Sequence, residues 1–369
     1  MLKTSSIDEW DEFYKGATTA SYFQSPGWSQ IWSRYSGGRY RPAPLVAELP
    51  SGKKVLVPIT RQRLRGGLGS LWHAAPAGTY GGWLTEPGVV LNNAETSLLI
   101  QSLFRHCGSL MLRLFPMTPV ADEEGFLSDI GNRGMFTDSG NELSGITILD
   151  DHTRLIDCAA GYEAIQGKWS AGKGSMKAKV QKAIRSGIQI RKVAAKKDIA
   201  RYHQLYMDAL RRWDPPPSHQ YTASFFEFIL ETAGHSISGE TDKRHNKLAK
   251  NRISREVWVA EYKDEIVAGA VILSGKGHMA YWHGVSDPEY QAYRPVNLLL
   301  ATLIEQCCIR GLRWFDFNPS LGIAGVDRFK QSFGAQAVSS PVLKKTTTAV
   351  QFIITAGSFM RRLTKGDAG

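Results

Sequence analysis

One order of elements occurs twice along this chain, and that repeat narrows its folds more than any other feature. In the second half, VWVAEY at 257–262 reads as a strand and KDE as a turn. IVAGAVILS at 266–274 is a second strand, GKG a second turn, and HMAYWHG at 278–284 a third strand. Runs rich in β-branched and aromatic residues between short polar breaks are strand signals. Pro295 then opens an apolar-periodic helix, VNLLLATLIEQCCIR, which Gly311 stops. LRWFDF at 312–317 follows as a fourth strand, ended by Asn318-Pro319. The first half has the same order: APLVAEL (43–49), KKVLVPITR (53–61), LGSLWHA (68–74), a helix over 94–106 stopped by Gly108, and SLMLRLF (109–115) ended by Pro116. Gly108 and Gly311 stand 203 positions apart, as do Pro116 and Pro319, and Leu112 and Leu114 keep that offset from Phe315 and Phe317. A twice-used β-β-β-α-β unit predicts an α/β (α+β) chain of two domains, each a mixed, mainly antiparallel sheet flanked by helices.

Length and composition agree. A chain of 369 residues suits two domains. With 43% hydrophobic and 21% charged residues it has the balance of a globular protein, which excludes disordered, collagen-like and coiled-coil chains. The net charge of +11, with a pI near 9.4, favours anionic partners without choosing among them. Cys107, Cys158, Cys307 and Cys308 form no CxxC and no metal-type spacing with histidine, so no metal site is expected. They read as buried free thiols, consistent with a reducing compartment. The opening MLKTSSIDEWDEFYKG has acids where a signal peptide needs an apolar core, and no run of about 18 apolar residues occurs. A cytoplasmic protein without a transmembrane segment is expected. Residues 349–360 read as a short helix ending in Arg361 and Arg362. Packing on the protein is the favoured reading, and peripheral association with the inner membrane the alternative.

The connecting part, 151–256, is mostly helical by pattern. Residues 168–197 hold ten basic side chains and no acid. Within them MKAKVQKAIRSG sets Val180, Ala183 and Ile184 on one face and lysines around it, with Gly187 as a stop. Such a run is usually a solvated face; as function it would attract tRNA or another polyanion. Two further helices are expected at 197–213 and 222–233, split by Pro215-Pro216-Pro217, followed by a polar loop at 238–251.

These residues resemble a known family. GVSDPEYQAYRPVNLLLATLIEQCCIRGLRWFDFNPS with GVDRFKQSFGA, and KGSMKAKVQKAIRSGIQIRKV, are similar to the FemAB-like transferases of the GNAT superfamily. FQSPGWSQIW (23–32) and PAGTYGGW (76–83) resemble the family's opening repeat. The resemblance implies two tandem GNAT-like domains, expected at 1–155 and 156–345, with a tail at 346–369 packing back on the first. It implies transfer of an acetyl or aminoacyl group to an amine on a cell-envelope or polysaccharide precursor, such as peptidoglycan or exopolysaccharide. No tightly bound cofactor is implied; acyl-CoA or aminoacyl-tRNA would be the co-substrate, and a phosphorylated or nucleotide-sugar acceptor the partner. One departure stands out. Ordinary GNAT enzymes carry glycines where this chain has Arg294 and Val296, and Pro295 removes an N–H from the phosphate cradle. Arg294 is the candidate replacement. The long helical arm of some Fem proteins is not evident either, which leaves the donor open.

Acyl transfer to an amine needs positioning, a proton acceptor and donors for the developing oxyanion. Lys330, in FKQSFG, matches the family's F-K-x-x-F-G lysine and would hold a phosphate or steady the reacting carbonyl; on spacing alone it is a surface lysine. Tyr281 and His283 alternate along one strand and are expected to face one way, with Trp282 facing the other. They would donate to an oxyanion or accept a proton, or simply pack. Asp316, between Phe315 and Phe317, would act as a base or orient one; otherwise it is an edge charge paired with Arg313 or Arg328. Asn318 and Arg328 complete the candidate substrate-binding set, although Asn318 and Ser320 also read as turn residues. Tyr80, Gly81 and Gly82 would line the acceptor cleft or make a tight turn. The glycine cluster Gly66-Gly67-Leu68-Gly69 lacks the Lys-Ser/Thr of a P-loop and reads as a loop. The rival function is a non-catalytic binding module for nucleic acid or an envelope-biosynthesis complex.

Overall fold

The computed structural model describes residues 2–64, 67, 69–120, 145–169, 172, 174–212, 220–231, 253–320 and 322–355. The expected loop at 238–251, the triple proline, Lys173, Trp213, Gly66, Leu68 and the tail beyond 355 lie outside them. The chain divides into two compact units. The first comprises Met1–Asp151 with Ser339–Gly369, the second His152–Val338.

In the first unit, one long hairpin feeds two sheets. Leu45–Glu48 pairs antiparallel with Lys54–Val57 in a four-stranded sheet. In the same register, Tyr40–Pro42 pairs with Thr60–Arg63 in a six-stranded sheet. The single strand expected over 53–61 is therefore two. Pro58 sits at the break, where a residue without an N–H cannot serve a ladder. Helix Asn93–Cys107 starts on a capping box: Asn92 Oδ1 accepts from the Glu95 N–H at 2.9 Å, and Glu95 Oε2 accepts from the Asn92 N–H at 3.0 Å. Gly108, at φ 65°, ends it. Leu99, Ile100, Leu103 and Phe104 pack on Val55, Val57, Leu110 and Leu112. Leu110–Arg113 returns parallel to Ser70–His73. Val342–Lys345 lies antiparallel to Leu110–Arg113 and to Thr147–Leu149, which is why it counts with the first unit although the expected boundary fell at 345.

The second unit is a seven-stranded sheet. Gln189–Lys192, Ser254–Tyr262, Glu265–Ser274 and His278–Ser286 run as successive antiparallel neighbours. Helix Pro295–Ile309 then crosses over, and Trp314–Asp316 comes back parallel to His278–Ser286. His152–Asp157 and Gln336–Ser339 complete the sheet. His152–Asp157 is a strand within the stretch read as mostly helical; its partner Trp314–Asp316 is far away in sequence, so local pattern does not reveal it. Glu265–Ser274 is buried along nearly its whole length, as its unbroken apolar run requires. Leu299, Leu300, Leu303 and Ile304 cover one face with Ala268, Ala270 and Ile272. On the other face the Tyr202 ring, from helix Lys196–Arg211, rests against Gly269, where a Cβ would come within 2.6 Å of it. In both units the strand after the helix returns parallel to an earlier strand, Leu110–Arg113 to Ser70–His73 and Trp314–Asp316 to His278–Ser286. In the first unit Leu84–Thr85 intervenes before the helix and pairs with Lys54–Val57. No helix among the described residues is long and apolar enough to cross a membrane.

Candidate active site

Two parallel strands part in the middle of the second sheet. His278, Met279 and Ala280 pair with Trp314, Phe315 and Asp316, and the ladder ends there. His278–Ser286 runs on, while the other chain turns away at Asn318, a non-glycine residue at φ 58°. Asn318 Nδ2 donates to the Tyr281 carbonyl at 2.8 Å, so a side chain takes over where the ladder stops. On the opposite edge Val271 pairs with His283 and Ile272 with Tyr281, which leaves Trp282 as the extra residue of a β-bulge.

The bulge corrects the expected alternation. Trp282 packs 5.3 Å from the Tyr221 ring and 5.7 Å from Phe225. His283 meets the same aromatic group, 4.9 Å from Tyr206 and 5.3 Å from Phe226. Tyr281 instead packs edge-on to Phe317. An inserted residue shifts the pleat by one, so Trp282 and His283 share a face. Gly284 makes the corner: a Cβ there would overlap the Tyr281 hydroxyl.

His283 is half-buried among rings, and burial pushes its pKa down to about 3. It is a neutral imidazole at pH 7. The Tyr202 hydroxyl lies 2.6 Å from Nδ1, and burial raises that phenol well above its ordinary range. With the phenol donating to Nδ1, the ring proton sits on Nε2. Tyr281 is likewise pushed up to about 12 by burial, so it is a phenol, not a phenolate. These groups are hydrogen-bond donors rather than bases.

Asp316 is fully buried, which corrects the reading of an edge charge paired with Arg313 or Arg328. Its Oδ1 accepts from Thr153 Oγ1 at 2.5 Å and from the Asn318 N–H at 2.7 Å, and its Oδ2 lies 2.9 Å from His278 Nε2. Both oxygens are engaged, so Asp316 shapes the turn. Arg313 pairs with Asp157 instead. Lys330 is also buried, not a surface lysine; its ammonium donates to the carbonyls of Asn318 and Pro319 at 2.6 and 3.1 Å. Its helix, Ala324–Gln331, is fastened to the sheet by Arg154, whose guanidinium forks onto Asp327 at 2.9 and 2.5 Å and holds that carboxyl well below the usual range. Asp316 and Lys330 therefore grip the same turn from two sides.

Arg294 stands at φ 62° as the cap residue of helix Pro295–Ile309. A left-handed arginine costs about 1 kcal/mol where glycine would not. The Asn297 amide reaches Met176 Sδ at 3.4 Å, so the first turns of helices Pro295–Ile309 and Met176–Arg185 are neighbours, and two positive dipole ends meet beside Arg294. Arg328 is exposed on helix Ala324–Gln331. Of the basic run, Arg191, Lys192 and Lys196 are paired with acids, while Lys177, Lys182 and Arg185 are exposed. Tyr80, Gly81 and Gly82 belong to the first unit. Tyr80 is fully buried between Phe23 and Phe115, Gly81 packs on Ala74, and Gln24 Nε2 donates to the Gly81 carbonyl at 2.7 Å. Tyr80 thus offers no surface to a substrate, contrary to expectation. Sequence reading missed Tyr202, His278 and Thr153, which reach the site from distant positions. The local signals were glycines inside strands, Gly269 under the Tyr202 ring and Gly284 beside Tyr281.

The geometry has known counterparts. Residues 170–331 match the family model described as acetyltransferase (GNAT) domain. Among solved structures, FemX superposes with a TM-score of 0.63 at 10% identity, over 94% of this chain and 97% of that one. L-PGS from Bacillus licheniformis gives 0.51 at 10% identity, over 96% and 97%. No curated protein sequence matches the chain. The parted strands lie inside the matched segment, so residues 170–331 of the second unit are similar to an acetyltransferase domain of the GNAT type. In fold, the chain is similar to FemX.

Proposed function

We propose that this protein moves an acetyl or aminoacyl group from an activated donor to an amine on a cell-envelope or polysaccharide precursor. The observation that carries the reading is the parting of His278–Ser286 from Trp314–Asp316 beside a neutral, oriented His283. The donor's carbonyl enters that gap. Nε2–H of His283 is the donor available to the developing oxyanion, the Tyr281 phenol lying on the other face of the strand. The amine lone pair forms the C–N bond, the thioester C–S or ester C–O bond breaks, and the leaving group takes the electron pair. The amine's proton passes to solvent, because the groups at hand are too weakly basic to hold it. Lys330 and Asp316 act one step away by fixing the Asn318 turn.

Both donors remain in play. The paired helix starts and Arg294 suit a phosphate of either acyl-CoA or aminoacyl-tRNA. The names of the similar folds, FemX and L-PGS, motivate an envelope acceptor. Labelled acetyl-CoA and aminoacyl-tRNA, each offered with amine-bearing phosphorylated sugars, test the reading. Thermal protection by CoA against gel shifts with aminoacyl-tRNA separates the donors. Transfer from one donor, lost in His283→Ala, supports it. Binding without transfer from either donor would favour the non-catalytic module.

A further inference from the structure

The first unit carries a charged cluster that acyl transfer in the second does not use. Arg41 and Arg61 stand directly opposite each other across the antiparallel pair Tyr40–Pro42 and Thr60–Arg63. Arg63, two residues on, shares their face. The three line a cavity of ≈ 240 Å³. All are exposed. Among the described residues none of them forms an ion pair.

Like charges directly opposite on a sheet repel and weaken the pairing. Here that arrangement is built rather than loose. Arg41 Nε donates to the Gly38 carbonyl at 3.0 Å, from a turn with Gly37 and Gly38 at φ 61° and 79°. Arg61 Nε donates to Ser70 Oγ at 2.8 Å, and its guanidinium lies 5.3 Å over the Trp72 ring. In both arginines the inner nitrogen is held by a neutral oxygen, which fixes the plane of the fork. The terminal nitrogens remain for a ligand.

We infer that Arg41, Arg61 and Arg63 form a binding site for a diphosphate or phosphate-ester group. Planar forks match phosphate oxygens two at a time, and a bound anion removes the repulsion between them. The cavity is smaller than the roughly 300–1,000 Å³ of sites that enclose a whole organic ligand. It therefore seats a phosphoryl head and leaves the rest of the molecule outside. A soluble phosphate ester and a phospholipid headgroup present the same chemistry. The inference stands independently of the acyl-transfer reading.

Titration calorimetry of the full chain with inorganic pyrophosphate at low salt tests it. Saturable one-to-one binding is expected for the unmodified protein. Arg61→Gln and Arg41→Gln should each weaken it at least tenfold, and Arg313→Gln, on the second unit, should leave it unchanged. Melting temperatures of the two first-unit variants without ligand should be equal to or above that of the parent, since a repulsion is removed. Vesicles of phosphatidylcholine with phosphatidic acid assign the source. Cosedimentation lost in the same variants marks a headgroup; its absence, with pyrophosphate binding intact, marks a soluble ester. Equal pyrophosphate affinity in parent and variants would overturn the site, as would binding of RNA with none of pyrophosphate.

Discussion

The Tyr202 hydroxyl lies 2.6 Å from His283 Nδ1, in surroundings that keep the imidazole neutral. If that pair supplies an oxyanion donor, His283→Ala should lower kcat by about 10²–10³-fold with a small change in KM. Tyr202→Phe should cost less, because the donor nitrogen survives and only its tautomer is released. Steady-state kinetics with the productive donor checks both.

The same pair sets a pH dependence. The pKa of His283 is about 3 in the folded protein, against about 6.5 for the unfolded chain. Between those values the unfolded state binds more protons, so stability rises with pH across the window and falls as pH drops from about 6.5 towards 3. Denaturant melts at stepped pH should show this acid limb, reduced in His283→Gln. The rate should show no inflection from His283 near pH 6.5.

Gly284 should tolerate no side chain. Alanine there would overlap the Tyr281 hydroxyl and move the ring. Overpacking of this kind costs about 1–3 kcal/mol. Gly284→Ala should therefore melt earlier, and Tyr281→Ala in the same chain should restore part of the loss. A double-mutant cycle of melting measurements reads the coupling directly.

Asp316→Asn keeps the shape but weakens three hydrogen bonds at a fully buried site. The expected loss is about 1–3 kcal/mol of stability. Thr153→Val should lose less, since it removes one of them. Chemical denaturation separates the two.

Lys330→Met fills the same space without an ammonium. The carbonyls of Asn318 and Pro319 lose their donor, and the turn that bridges to Tyr281 loosens. Activity should fall by at least tenfold, and Lys330→Arg should rescue little, because a planar fork does not fit a point-charge site. Unchanged activity in Lys330→Met would remove this residue from the site.

Much of the fold was legible because the elements that carry it are locally consistent. Pro295 and Gly311 bracket a helix seen at Pro295–Ile309, and the apolar run at 266–274 is a strand buried on both faces. The short strands were not. His152–Asp157 exists by pairing with Trp314–Asp316, and Val342–Lys345 by inserting beside Leu110–Arg113. The site was half legible. Asp316, Asn318, Lys330, Tyr281 and His283 do gather around one turn and one bulge. Their roles changed because burial decides them, and burial comes from partners such as Thr153, Tyr202 and His278 that sequence spacing does not connect.

Hydrogen–deuterium exchange of the full chain, with saturating acyl-CoA and separately with aminoacyl-tRNA, locates the chemistry most directly. One of the donors should slow exchange at 281–286 and 318–320, around the parted strands. Protection confined to other segments, or none with either donor, would contradict an acyl-transfer site there.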